Sequence, residues 1–493
     1  MSLWSADELI SPVVAAAAFA VHLLTVVRAI TRPNRTPASR VAWVAVIMCL
    51  PLVGVVAYAL LGETSIGRGR VERLREAERR LARPLAPPAY LADPDARTIA
   101  ALCTSINGFA PVAGNRVTLL GEASDDPAHP ALDSDRAIDA LIEAIEGAAE
   151  HVHISFYIWL DDHSGGRVAN AVAAAARRGV VCRVMVDALG SRDFLRGPRR
   201  RELEEAGARV IAALEDIPRL GHLAVGRVDL RNHRKLVVVD NRIAFCGSQN
   251  CADPAFAPKA RYGPWIDLLL RCEGPVVRQA QHLFLASWIA ETGDDLDGLP
   301  AADPQPEVVE PGVTLQVFGT GPTTPGAAMS DAFVAAMYAA ERELIVTTPY
   351  FVPDEGLLRA LCAAPRRGVR TTLILPARCD SRLVAAASRS TYADLLACGV
   401  ELHAYPLGLL HAKSVTVDGR LALVGSANMD RRSLELNFEN NLLIHDEPTT
   451  AAIRRRQLGY LSEATPVTAA DVAAWSFWTR LANNVVAMMS PVL

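Results

Sequence analysis

Two segments of this 493-residue chain carry the same reactive residues at the same offsets. The first is His233-Arg-Lys235, then Asp240, then Gly247-Ser248-Gln-Asn250. The second is His411-Ala-Lys413, then Asp418, then Gly425-Ser426-Ala-Asn428. Alternate side chains of an extended strand share a face, so each histidine points the same way as the lysine two residues on. An imidazole beside an ammonium suits a phosphate. The lysine offers a point charge to non-bridging oxygens, and the histidine a nucleophilic or proton-transferring nitrogen. Ser248, Asn250, Ser426 and Asn428 add hydroxyl and amide donors for the phosphoryl oxygens. Asp240 and Asp418 complete the catalytic set, either at the substrate or by orienting neighbours through hydrogen bonds. A lone His-x-Lys reads as a surface pair. Two matched copies read as two halves of one site, with one histidine to attack phosphorus and the other to protonate the leaving alkoxide.

The elements that must hold these residues repeat as well. Residues 151–159 read as a buried strand, 167–178 as an Ala-rich helix ending at Gly179, and 180–186 as the next strand. The second half answers with a strand over 343–352, a helix over 356–363, and strands over 370–375 and 400–405. Alternating strands and helices predict an α/β fold built as two homologous halves. With 178 residues from His233 to His411, the unit is far longer than a solenoid repeat. The expected organisation is an anchor over 1–62, an Arg-rich, Pro-containing linker over 63–92, a first half over 93–300 and a second half over 301–493. The second half ends in an amphipathic helix over 475–489, set either on a membrane interface or against the body.

The N-terminus is apolar. Residues 10–27 and 41–61 contain no charged side chain, and about 20 apolar residues cross a bilayer core. Asp7 and Glu8, with no Lys or Arg before them, argue against a cleaved signal peptide. Two transmembrane helices are predicted. Arg28, Arg32, Arg35 and Arg40 follow the first run, while Arg68, Arg70, Arg73, Arg75, Arg79, Arg80 and Arg83 follow the second. If both runs span, the clusters fall on opposite faces and compete for the cytoplasm, which leaves the orientation open. A formal net charge of −4 gives no overall basic footprint and disfavours nucleic acid as a partner. Nine scattered cysteines without a Cys-x-x-Cys pair read as small buried hydrophobes in a reducing compartment. No spacing in the chain offers a metal cluster.

These motifs resemble the phospholipase D superfamily, and more narrowly its bacterial cardiolipin synthases. The run Thr347-Thr-Pro-Tyr-Phe-Val-Pro-Asp-Glu355 resembles the family's segment before its second motif. The run from Gly425 through Asn437-Phe-Glu439 resembles its second signature. The resemblance implies a ping-pong reaction through a phosphohistidine, with His233 as nucleophile and His411 as general acid and then base. Lys235, Lys413, Asn250 and Asn428 would hold the phosphoryl oxygens, with Ser248 and Ser426 assisting. It also places a carboxylate some 30 residues downstream of each histidine to orient its ring; Asp267 and Glu439 match. No metal or other cofactor is implied. The implied substrates are phosphatidylglycerol and other anionic membrane lipids, handled at the plasma membrane by a membrane-embedded enzyme with no obligate protein partner. Residues 250–256 (Asn-Cys-Ala-Asp-Pro-Ala-Phe) depart from the family pattern, which leaves head-group selection open. A hydrolytic phospholipase D, a phosphatidyltransferase with another donor or acceptor, and a non-catalytic lipid-binding protein are the alternatives. The completeness of both motif copies argues against the last.

Overall fold

The computed structural model describes residues 12–33, 37–62, 67–81, 87–121, 130–215, 229–294, 307–324 and 326–488. Pro84 of the expected linker and the expected 300/301 boundary lie outside them. The chain divides into an N-terminal helical unit ending at Arg68 and an α/β body formed by Gly69–Glu215 and Arg231–Ala487.

In the body, the first half supplies β1 (Val112–Leu119), β2 (His151–Phe156), β3 (Val181–Asp187), β4 (Arg209–Ala213), β5 (Leu236–Val239), β6 (Ile243–Gly247) and β7 (Leu269–Glu273). The second half supplies β8 (Val313–Thr320), β9 (Glu343–Thr347), β10 (Arg370–Pro376), β11 (Glu401–Tyr405), β12 (Ser414–Val417), β13 (Leu421–Gly425) and β14 (Glu439–His445), plus the edge strand β15 (Thr465–Val467). All fifteen join one sheet, in the order β15-β11-β10-β9-β12-β13-β14-β8-β1-β7-β6-β5-β2-β3-β4. Read outward from the central antiparallel pair β1/β8, the two halves follow the same order, each first-half strand matching the one numbered seven higher. The outer strands β2-β3-β4 and β9-β10-β11 pair in parallel, so helices cross over them and bury both faces. Accordingly β2 is buried at every position even though it carries His151, His153 and Ser155, and the neighbouring apolar strand β5 is buried throughout as well.

The mixed α/β fold with two repeated halves is as expected, but the halves interlock. Helix Pro94–Asn107 falls in the first half by sequence. Its Ile99 and Cys103 join the second half's core with Phe318, Met329 and Phe333. In the other direction, Arg456 pairs with Asp133 at 2.6 Å. The expected linker also contains a helix, Arg68–Arg80. Glu76 pairs with Arg79 and Arg80 one turn on, which supports a helix in so polar a sequence. Arg73 donates to the Ala290 carbonyl at 3.1 Å, and Glu78 meets His282 at 3.1 Å, so the helix docks on helix Val276–Thr292. The C-terminal helix, Phe477–Met488, leaves Phe477, Trp478, Val485 and Met488 exposed. All nine cysteines are unpaired.

In the N-terminal unit, Pro12–Thr31 is a single helix, and its 18-residue window Val14–Thr31 is apolar enough to cross a membrane. The second apolar run departs from the expected single span. It forms helix Pro37–Cys49, breaks at Leu50, and resumes as Pro51–Ala57 and a wider turn over Tyr58–Gly62. Pro51 is the cause. A proline disfavours helical backbone in the residue before it, and Leu50 sits at φ −130°, ψ 72°.

Candidate active site

The two His-x-Lys segments lie in the lead-in to β5 and β12 rather than within the strands. What places them is a pair of short parallel contacts between the halves. Asn232, just before His233, bridges to Phe438, just before Glu439. Leu409–Leu410, just before His411, pairs with Trp265–Ile266, just before Asp267. Each histidine is therefore brought beside the carboxylate of the other half. His233 Nδ1 lies 2.9 Å from Glu439, and His411 Nδ1 lies 2.6 Å from Asp267. The family resemblance implied that each carboxylate orients the histidine upstream of it in its own half; the structure exchanges them.

Both carboxylates are held below their usual range. Burial alone would raise them, but the facing histidine, the nearby lysine and a serine hydroxyl together outweigh it. An ionised carboxylate only accepts, so each Nδ1 must donate. That fixes the tautomer and leaves Nε2 with a lone pair, as the aspartate does for the histidine of a catalytic triad. Burial drives both imidazoles down to about 4 against the pull of Glu439 and Asp267, and the lysines add to the depression. Both rings are therefore neutral near pH 7, as a nucleophile requires.

Lys235 and Lys413 are also buried. Each turns its ammonium onto the carbonyl of its own histidine, at 2.7 and 2.6 Å. Burial lowers Lys235 to about 8 and Lys413 to about 7. Each lysine also depresses the other half's histidine, which places all four groups in one electrostatic site. Two ammonium groups desolvated side by side in one buried site favour a negatively charged ligand, which would offset both their burial and their mutual repulsion.

The remaining expected residues divide. Ser248 gives its only proton to Asp267 at 2.6 Å and accepts from the Leu268 N–H; Ser426 does the same with Glu439 and the Asn440 N–H. Expected to assist at the phosphate, the serines instead clamp the carboxylates. The Asn250 carbonyl accepts from the Ile158 N–H at 3.2 Å, which leaves its amide protons to donate. Asn428 bonds to Asp430, and its side-chain oxygen is buried without a partner among the described residues. Asp240 and Asp418, counted with the catalytic set, stand at the far ends of β5 and β12 at φ 51° and 53°. Asp240 accepts the N–H groups of Ala149, Glu150 and His151, and Asp418 those of Glu341, Arg342 and Glu343, all at 2.7–2.9 Å. Each ties the start of β2 or β9 to the motif strand, with its oxygens fully engaged there.

The aromatic walls were not foreseen. The Tyr157 ring lies 4.9 Å from His233 and 5.3 Å from the Lys235 ammonium. Trp265 lies 4.6 Å and Tyr350 6.5 Å from His411. Tyr157 in a buried strand pattern and Trp265 two residues before Asp267 were the available signals. Asn440, whose side chain receives the Lys235 N–H at 3.1 Å, was also missed; it adjoins Glu439.

The model of the cardiolipin synthase, phospholipase D-like domain matches twice, over residues 141–267 and 333–457. That of the phospholipase D-nuclease N-terminal region matches 17–63. The cardiolipin synthase A of Erwinia tasmaniensis is 38% identical over 469 residues, covering 93% of this chain and 94% of that protein. The Cronobacter sakazakii protein of the same name is 39% identical with the same coverage. Among solved structures, a Haemophilus influenzae phosphatidylserine synthase shares the fold at TM-score 0.55 and 13% identity, covering 80% of this chain and 97% of that one.

Proposed function

This chain belongs to the cardiolipin synthase family of phospholipase D-like proteins, and from that premise we propose that it joins two phosphatidylglycerols into cardiolipin and glycerol. His233 Nε2 attacks the phosphorus of the first lipid, and the bond to the glycerol oxygen breaks. His411 delivers a proton to that oxygen, and glycerol leaves. The terminal hydroxyl of the second phosphatidylglycerol then attacks the phosphatidyl-histidine, giving its proton to His411 and freeing His233. Lys235, Lys413 and the Asn250 amide hold the non-bridging oxygens throughout. The bound phosphodiester's negative charge opposes the lysines' effect on the imidazoles, raising their basicity so that one of them carries the proton the leaving group needs. The first apolar helix keeps the enzyme at the bilayer that holds both substrates and the product.

One observation carries this reading: each histidine is fixed through Nδ1 by a carboxylate from the opposite half, beside two buried lysines, with no hydrogen bond to Nε2 among the described residues. One half alone has a histidine without its orienter. The test uses the purified full chain in phosphatidylglycerol vesicles, with lipid products identified by mass spectrometry. Cardiolipin with an equal amount of glycerol is expected. Phosphatidic acid as the sole lipid product would overturn transfer in favour of hydrolysis.

A further inference from the structure

The second apolar run does more than kink at Pro51. The Trp43 and Tyr58 rings meet edge to face at 5.3 Å, although 15 residues of straight helix would set them about 22 Å apart. A Cβ at Gly54 would lie 2.5 Å from the Val46 carbonyl oxygen and 2.7 Å from the Ile47 Cα, so the second piece packs directly on the backbone of the first. Trp43, Ile47, Tyr58 and Ala29 of the first helix form one buried cluster. The run folds back on itself.

Length agrees. Pro12–Thr31 spans about 30 Å at 1.5 Å per residue, enough for a bilayer core. Pro37–Cys49 reaches about 20 Å and Pro51–Gly62 about 18 Å, so neither crosses alone. Both are apolar, and Val41, Met48, Leu52, Val53 and Val56 point outward, each more than half exposed. The reversal suits a medium without water. Pro51 has no N–H to satisfy, the Leu50 N–H bonds to the Val46 carbonyl, and the Gly54 N–H bonds to the Leu50 carbonyl.

We infer that residues 37–62 form a re-entrant hairpin that enters and leaves the bilayer on one side, so that both arginine clusters and the catalytic body face the cytoplasm. This rests on the membrane reading above and goes beyond it to topology. Two full spans would set the clusters on opposite faces. The hairpin removes that conflict, because the chain after Gly62 returns to the side it left at Pro37. The cytoplasmic side then holds Arg28, Arg32, Arg35, Arg40 and the arginines from Arg68 onward. The positive-inside rule is met at every position it counts.

The test places single cysteines, Pro33→Cys or Gly69→Cys, in a cysteine-depleted full chain that retains synthase activity. A membrane-impermeant maleimide is applied to intact cells and to inside-out vesicles. Both positions should be shielded in cells and labelled in inverted vesicles. Labelling from opposite faces, or of both from outside, overturns the inference. As a second readout, a maleimide cross-linker of about 10 Å reach should join the pair Trp43→Cys/Tyr58→Cys within one chain in native membranes. A straight helix holds those positions beyond its reach, so failure to cross-link would also contradict the hairpin.

Discussion

In the first half the motif histidine is held by a glutamate, is 8% exposed and lies beside Tyr157; in the second its counterpart is held by an aspartate, is 2% exposed and lies against Trp265. The lysines differ in the same sense, with Lys235 at about 8 and Lys413 at about 7. A pseudo-symmetric sheet thus delivers the same atoms twice into unequal surroundings. The proposed reaction gives the two imidazoles different tasks, one attacking and the other handling a proton, and the unequal surroundings suit that division. The exchange of carboxylates makes the halves interdependent, since each lends the other its orienting group.

The largest expected effect comes from the histidines. His233→Ala and His411→Ala should each lower turnover of phosphatidylglycerol by about 10⁴-fold or more, and the double variant should lose little beyond either, because the pair acts as a unit. Near-wild-type folding by circular dichroism should accompany both.

The carboxylates sharpen the comparison. Glu439→Gln and Asp267→Asn should each cost between about 10² and 10⁴ in kcat, by analogy with the orienting residue of a triad. A phosphatidyl-p-nitrophenol donor separates them, since its leaving group needs no proton. With it, Asp267→Asn should release the first p-nitrophenol almost as fast as wild type, like His411→Ala, while Glu439→Gln should stay slow, like His233→Ala. The reverse pattern would mean that each carboxylate serves its own motif.

The lysines give a pH signature. The kcat/KM profile reports the free enzyme, so it should fall on the alkaline side as Lys413 and Lys235 discharge through about 7 and 8. On the acid side it should rise as pH falls towards about 4, where one imidazole takes up the proton the leaving group needs, and fall once both are protonated. Lys413→Arg keeps its charge at all working pH and should move the alkaline limb up by about one unit, to the Lys235 value, while lowering the maximum about tenfold through lost fit.

Ser426→Ala should cost about 10- to 100-fold, the worth of one hydrogen bond to a charged group. The smallest catalytic effect belongs to Asp240→Ala and Asp418→Ala. Each deletes three backbone hydrogen bonds outside the reacting atoms, so melting temperature should drop by several degrees while turnover per folded molecule holds within a few-fold.

Much of this was legible in the sequence because local patterns carry it. The doubled motifs and the buried strands follow from spacing along one chain, and the family resemblance pointed to Asp267 and Glu439. The exchange does not, because it depends on Asn232 bridging to Phe438 and Leu410 pairing with Ile266, contacts between segments more than 140 residues apart. Helix Pro94–Asn107 crossing into the other half's core is tertiary for the same reason. The serines were placed at the phosphate because their type suits it; only the Asp267 and Glu439 oxygens reveal where their protons go. Pro51 stood in plain view. Counting apolar residues measures length, whereas a proline decides whether that length is straight.

The central claim is one site with unequal histidines, and a trapped intermediate tests it most directly. The His411→Ala variant is mixed with phosphatidyl-p-nitrophenol, quenched and digested, and the phosphatidyl adduct is located by mass spectrometry. The adduct is expected on His233, in one equivalent per chain, while His233→Ala yields none. An adduct on His411 in the His233→Ala variant, with none on His233 in the converse variant, would contradict the account.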